Sequence, residues 1–171
     1  RPPRSTLFPY TTLFRSDIKH AHASVEYLQN EIAFGSIVRG MHHWGASVAI
    51  VMLFLHTLRV FFTGAYKHPR EFNWVVGMLL FFVVLGLGFT GYLLPWDNKA
   101  YFATKVGIEI AASVPFVGEH IATFLQGGDM VGATTLTRFF ALHVFFLPGA
   151  LLALLGAHFI LIRRQGISGP L

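Results

Sequence analysis

Nine histidines occur in the 171 residues, and four of them, His42, His56, His143 and His158, stand inside long apolar stretches. An ionisable side chain within a membrane-length helix is costly, so each is a candidate for function. Their spacing narrows the chemistry. His42 and His56 are separated by about 1400° of helical turn, some 40° short of four full turns, and therefore share a face with a rise of about 21 Å between them. His143 and His158 lie one residue further apart, about 60° past four turns and about 22 Å in rise. Pro148 and Gly149 fall between them, and a helix distortion at the proline absorbs the extra residue. If the two helices run parallel, His42 meets His143 at one depth and His56 meets His158 at another. Two facing imidazoles at each of two levels are the donor set of two bis-histidine haems, with iron held above and below a flat macrocycle. A single intramembrane histidine would as readily be a structural hydrogen-bonder; matched spacing on two helices argues for the ligands. Structural zinc gathers four ligands at one point and does not suit two separated pairs.

The neighbours of the histidines fit the same chemistry. Gly77 and Gly91 are also fourteen residues apart, and glycine lets a flat ring approach a helix backbone. Taken without the histidines, such a pair would equally serve helix packing. Gly45 and Ala46 lie one turn from His42. Arg39 and Arg59 each lie three residues from a histidine of the set, where a guanidinium fork suits a haem propionate. His43 points about 100° away from its neighbour. His20, His22, His68 and His120 fall in interfacial or loop sequence and read as solvated.

Three apolar segments are long enough to position these residues across a bilayer, which takes about 20 helical residues. They are Ser36–Phe62, Val75–Leu94 and Phe139–Ile162. Ala23–Phe34 carries Val25, Leu28 and Ile32 against a charged opposite face, the pattern of an amphipathic helix on the membrane surface. The short connection Thr63–Trp74 holds Lys67 and Arg70 against Glu71, and the third span closes on Arg163 and Arg164. The positive-inside rule puts both in the cytoplasm and the long Pro95–Arg138 connection outside. Forty-odd residues exceed a passive link, and this connection reads as two short helices broken at Pro115. The expected class is an all-α integral membrane bundle.

Composition agrees. The chain is 54% apolar and 12% charged, with no cysteine and a mean hydropathy of +0.57. That charge is about half the usual soluble fraction, and it excludes disordered, coiled-coil and disulfide-rich classes. The net charge of +5 would suggest nucleic acid, but its source argues otherwise. Residues 1–16 are neither signal peptide nor helix, being interrupted by Pro2, Pro3 and Pro9. Thr6–Ser16, TLFPYTTLFRS, is what a short-read sequencing adapter gives when translated. Setting residues 1–16 aside removes Arg1, Arg4 and Arg15 and leaves a net charge of only +2. No nucleic-acid partner is expected, and the domain proper runs over 17–171.

The motifs MHHWGAS, LHTLRVFFTGAYKHPREFNW, GFTGYLLPWD, TLTRFFALHVFFLP and HFILIRRQGISGPL together resemble the b6-type cytochrome b. This is the N-terminal half of quinol-oxidising cytochrome b, as in cytochrome b6-f complexes and bacterial menaquinol–cytochrome c reductases. The resemblance runs from about Asp17 to Leu171 and includes all four histidines; the fifteen-residue spacing in the last helix is the b6 form. It implies a haem-binding four-helix bundle, of which three transmembrane helices stand here. The helix that precedes Ala23 in the family has the adapter-like string in its place.

On this resemblance His42 and His143 would ligate the outer haem b, and His56 and His158 the inner one. Arg39 and Arg59 fall at the propionate positions. Phe89, Ala103 and Val106 fall where the family lines its outer quinol pocket. Arg163 falls near the inner quinone site, where some members hold an extra covalently attached c-type haem. The cysteine that holds that haem lies in the preceding helix, so this sequence decides nothing about it. The implied function is a di-haem transmembrane electron carrier in a quinol–cytochrome c or plastocyanin oxidoreductase. It would work in a homodimeric complex with a Rieske iron–sulfur protein, a c-type cytochrome and the C-terminal cytochrome b half, which resembles subunit IV. A bacterial plasma membrane is expected rather than a thylakoid. Two other readings remain at this point: a di-haem anchor of a dehydrogenase or hydrogenase, and a haem-free transport or assembly subunit.

Overall fold

The structure, a computed structural model, describes residues 15–167; most of the adapter-like segment lies outside them. Seven α-helices follow one another: α1 (Ala21–Asn30), α2 (Gly35–Phe62), α3 (Glu71–Leu93), α4 (Asn98–Ala112), α5 (Gly118–Gln126), α6 (Ala133–Ala141) and α7 (Leu147–Gln165). A π-helical turn, Leu142–Phe146, joins α6 to α7. Among the described residues three helical stretches are long and apolar enough to cross a membrane: Gly35–Phe62, Glu71–Leu93 and Ala133–Gln165. Among the described residues the secondary structure is wholly helical.

The boundaries depart from the apolar windows for identifiable reasons. The amphipathic helix expected over Ala23–Phe34 is shorter, ending at Asn30. The chain turns at Phe34, whose φ is 63°, and Gly35 follows so close to the previous helix that a Cβ there would stand 1.8 Å from the Leu28 carbonyl oxygen. Only glycine allows that corner. The third span starts six residues before the expected Phe139, because its first turns are amphipathic: Thr134, Thr137 and Arg138 alternate with the buried Thr135, Leu136 and Phe139. The long connection does break at Pro115, between α4 and α5.

The chain divides into two compact units. The first holds the described residues up to His42 together with Phe89–Ala141. Its core is Ala21, Leu93, Ile108, Ala122, Val131, Leu136 and Phe139, with Phe89, Trp96 and Tyr101 among the side chains packed against it. Thr104 Oγ1 is buried there without a partner, but other polar groups inside are paired. The Thr135 hydroxyl, fully buried, donates to the Gln126 carbonyl at 2.7 Å and accepts the Gly132 N–H at 3.0 Å. Asp97 caps α4 by accepting the Ala100 N–H at 2.8 Å, satisfying one of the unpaired donors of a first turn. At the end of α5 Gly127 takes φ 72°. The Arg138 guanidinium donates to the Phe124 and Thr123 carbonyls there, a cation at the negative end of the helix dipole.

The second unit holds His43–Gly88 and the residues from Leu142 onward. Here α2 and α7 contribute no buried residue, and Val76 and Leu80 of α3 are its buried apolar side chains. Side chains such as Val51, Phe54, Phe82, Leu152 and Phe159 are exposed, as lipid-facing positions are. Arg70 fixes one end: its Nε and Nη2 donate to the carbonyls of Gly166 and Ile167 at 3.2 and 3.0 Å. The start of α3 and the end of α7 therefore lie at the same end of this unit, joined to the end of α2 by the short basic connection. The sequence expected a shared end from charge alone.

Candidate haem-ligand site

In the second unit three residues come to one level. His56 lies six residues before the end of α2, Gly77 six after the start of α3, and His158 seven before the end of α7. Each is thus about 9 to 11 Å from the basic end. A Cβ on Gly77 would stand 3.4 Å from His158 Cε1 and 3.9 Å from its Nδ1, so the imidazole lies beside this glycine at van der Waals distance. His158 is half-buried, and its Nδ1 is among the buried side-chain atoms without a hydrogen-bond partner, with Asn73 Oδ1 and Gln165 Oε1 of the same unit. The Asn73 main chain lies beside the ring, and His56 is near enough for its charge to act on it. His56 itself is exposed.

His143 sits in the π-helical turn and is half-buried. Its Nδ1 lies 3.0 Å from the Leu87 carbonyl oxygen of α3. A carbonyl only accepts, so Nδ1 carries the proton and donates, which leaves the Nε2 lone pair for a metal. The turn also settles where the fifteenth residue goes. A π turn bonds i to i+5 and takes up one residue more than an α turn. It immediately precedes Pro148, which cannot donate to the carbonyl four residues back. The distortion expected at Pro148–Gly149 is thus one turn earlier, and it holds the histidine itself.

The remaining candidates are placed as follows. His42 belongs to the first unit, two turns into α2, and is exposed. Arg39, on the same turn, donates to Gln29 Oε1 of α1. Arg59 and Arg163 are exposed in the last turns of α2 and α7. Gly91 is half-buried on α3. Phe89 packs on Phe139 with ring centroids 5.3 Å apart and lies over Gly107, where a Cβ would stand 2.3 Å from its Cε2. Ala103 and Val106 are exposed on α4. A cavity of about 370 Å³ in this unit is lined instead by Tyr101, Lys105, Ile108 and Glu109 with the Gln126–Val131 turn. The histidines outside the spans pair with surface groups: His20 with Asp17 at 2.8 Å, His22 with Glu26 and the Pro95 carbonyl, and His68 with Glu71.

Two participants escaped the sequence reading, the Leu87 carbonyl and the Asn73 main chain. A backbone acceptor has no side-chain signature. The one available signal was the glycine four residues beyond each, at 91 and 77.

An imidazole beside a glycine, a histidine held by a backbone carbonyl and a buried ring nitrogen without a partner suit axial ligation of a flat metal macrocycle. Among the described residues no cluster of three or more His, Asp or Glu side chains is arranged to hold a lone ion. Comparison with known proteins leads to the same place. Residues 47–171 match the family model described as Cytochrome b(N-terminal)/b6/petB. The menaquinol:cytochrome c reductase cytochrome b subunit of Bacillus subtilis is 70% identical over 162 residues, covering 94% of this chain and 72% of that protein. The cytochrome b6 of Synechocystis sp. is 46% identical over 167 residues, covering 98% of this chain and 75% of that one. A solved structure, the hyperthermophilic respiratory Complex III, superposes with a TM-score of 0.85 at 36% identity, over 94% of this chain and 43% of that chain. The chain belongs to the family of N-terminal cytochrome b and b6 proteins.

Proposed function

We propose that this chain carries electrons across the membrane through two b haems, His42 with His143 ligating the outer one and His56 with His158 the inner. It is a multi-pass membrane protein and an electron-transfer subunit of a quinol-oxidising, quinol:cytochrome c reductase-type complex. Identity of 70% to the Bacillus subtilis subunit, against 46% to the Synechocystis cytochrome b6, favours a bacterial plasma membrane over a thylakoid.

The observation that carries the haem reading is the common level of His56, Gly77 and His158, together with the fixed tautomer of His143. The haems supply reversible one-electron chemistry at iron; the protein supplies ligation, orientation and electrostatics. His143 is held by Leu87 so that Nε2 is presented unprotonated. The exposed guanidinium groups of Arg39 and Arg59, each three residues from a ligand, neutralise propionates. Arg70 holds the end of α7 against the start of α3 and so keeps His158 in register with Gly77.

Quinol oxidation belongs to the outer side, near Phe89, Ala103 and Val106, and quinone reduction to the inner side near Arg163. The partners are a Rieske iron–sulfur protein, a c-type cytochrome and the C-terminal cytochrome b half, in a homodimeric complex. A reduced-minus-oxidised spectrum of membranes containing the chain tests the reading. A b-type α band is expected, and its absence would overturn the haem assignment.

A further inference from the structure

Three rows of residues run along α4. Ala100, Thr104 and Ile108, four residues apart, form its buried stripe. Tyr101, Lys105 and Glu109 lie on one flank of that stripe and line the cavity. Ala103, Val106 and Gly107 fall on the other flank, about 60° to 160° round the helix in the opposite sense. Ala103 and Val106 are exposed there, and at Gly107 the ring of Phe89, from the last turns of α3, lies against the backbone. This contact brings Phe89 to the side of α4 that carries Ala103 and Val106.

The approach at Gly107 leaves no room for a side chain. A Cβ there would stand 2.3 Å from Phe89 Cε2, 2.8 Å from Cζ and 3.4 Å from Cδ2, so a whole edge of the ring would be struck. Carbon atoms in contact sit about 3.5–4.0 Å apart, and the ring would have to move by more than about 1 Å. Nothing local calls for glycine at this position. Gly107 lies in the interior of α4, is not among the glycines with positive φ, and glycine is a poor helix former. Its reason is the ring it admits.

The ring has one direction in which to yield. Phe89 also packs on Phe139, with ring centroids 5.3 Å apart. Phe139 is fully buried in the core with Leu93 and Leu136, and a close-packed interior has no space to give. Phe89 itself is half-buried. A group added at position 107 therefore drives the ring toward its uncovered side.

We propose that Gly107 is a positioning residue for quinol oxidation. By leaving out a side chain it seats the Phe89 ring against α4 and keeps clear the space that the quinol head group takes beside Ala103 and Val106. Gly107 acts through Phe89 rather than on the substrate. This rests on the quinol-pocket reading above.

The test uses the whole complex isolated with Gly107→Ala, Phe89→Leu or both, and measures quinol:cytochrome c reductase kinetics with dimethylnaphthoquinol as the soluble quinol. Gly107→Ala should lower kcat/KM by at least about tenfold, the effect of about one methylene of misfit in a pocket. The loss should fall mainly on KM, as removal of ground-state binding does, and the b-type α band should be unchanged. Leucine lacks the Cε2 and Cζ atoms that the new Cβ would strike. The double variant should therefore return KM to within about twofold of Phe89→Leu alone, the residue expected of sites that no longer couple.

A lowered Tm with an unmoved KM would make Gly107 a packing residue only and overturn the proposal. A raised KM that Phe89→Leu does not relieve would also overturn it, since the alanine would then act on the quinol directly. If Gly107→Ala does not assemble, the double variant decides. Assembly with the KM of Phe89→Leu upholds the proposal, and failure to assemble overturns it, because the collision would then lie elsewhere. An unchanged KM in Phe89→Leu itself is a separate result: it would remove the quinol pocket from this place and the proposal with it.

Discussion

The two units of this chain differ in composition and are stabilised differently. In the first, Leu93, Leu136 and Phe139 are fully buried against one another, and threonine hydroxyls, caps and the Arg138 guanidinium satisfy the backbone around them. In the second, two of the three helices bury nothing, and the buried polar atoms left without partners include His158 Nδ1, Asn73 Oδ1 and Gln165 Oε1. The first unit is a self-contained core of side chains. The second exposes its apolar side chains and, on the proposed function, offers its imidazoles to a prosthetic group. The second is also the more apolar of the two, with fewer charged residues.

The difference can be broken most severely at a ligand. His158→Ala should remove one of the two haems and leave the other, halving the α band per chain. Hydrogen exchange should rise in residues 43–88 and 142–167 and stay low in 98–141. Loss of neither haem would refute the pairing, and uniform exchange would refute the independence of the units.

The next effect lies in the first unit. Phe139→Ala removes a fully buried ring and should cost about 3–5 kcal/mol of stability, seen as a lowered Tm with the spectrum of the inner haem unchanged. Leu152→Ala, at an exposed site on α7, should stay within about 0.5 kcal/mol. Similar losses at both positions would mean that the second unit has a side-chain core after all. Gly107→Ala sharpens the point from the other direction. Its Cβ would collide with Phe89 at 2.3 Å, an overpacking that costs about 1–3 kcal/mol and is read by the same Tm measurement.

Arg70→Gln cuts the tie to Gly166 and Ile167 and should cost about 1 kcal/mol. Exchange should increase at the end of α7 and not in α4 or α5. The smallest effect is at the first unit's edge. The hydrogen bond from His20, then the Lys19 N–H and the Arg15 charge, hold the Asp17 carboxyl below its ordinary value despite some opposing desolvation. A depressed carboxylate contributes above its unfolded pKa and stops contributing as pH falls through its folded one. Asp17→Asn should therefore lower Tm slightly at neutral pH, and the difference should shrink as pH falls through the lowered folded pKa.

Much of this was legible in the residues. The three spans follow from length and hydropathy, and the shared end of α3 and α7 follows from Lys67, Arg70, Arg163 and Arg164. The four histidines follow from a period that folds fourteen residues into four turns. Boundaries were less legible where an amphipathic turn continues an apolar helix, as at Thr134–Arg138, or where one glycine permits a corner, as at Gly35. The quinol-pocket residues were carried by resemblance alone. The structure places Ala103 and Val106 on one exposed face of α4 and the cavity on another.

The amino-acid sequence by itself determined which helices cross the membrane, which end is basic and which side chains can ligate iron, because these depend on composition and on periodicity along one helix. Tertiary structure decided what those side chains meet. That His143 donates to a carbonyl 56 positions away, and that His158 lies beside Gly77, depend on the approach of one backbone to another. Glycine permits that approach, but no local pattern specifies which partner makes it.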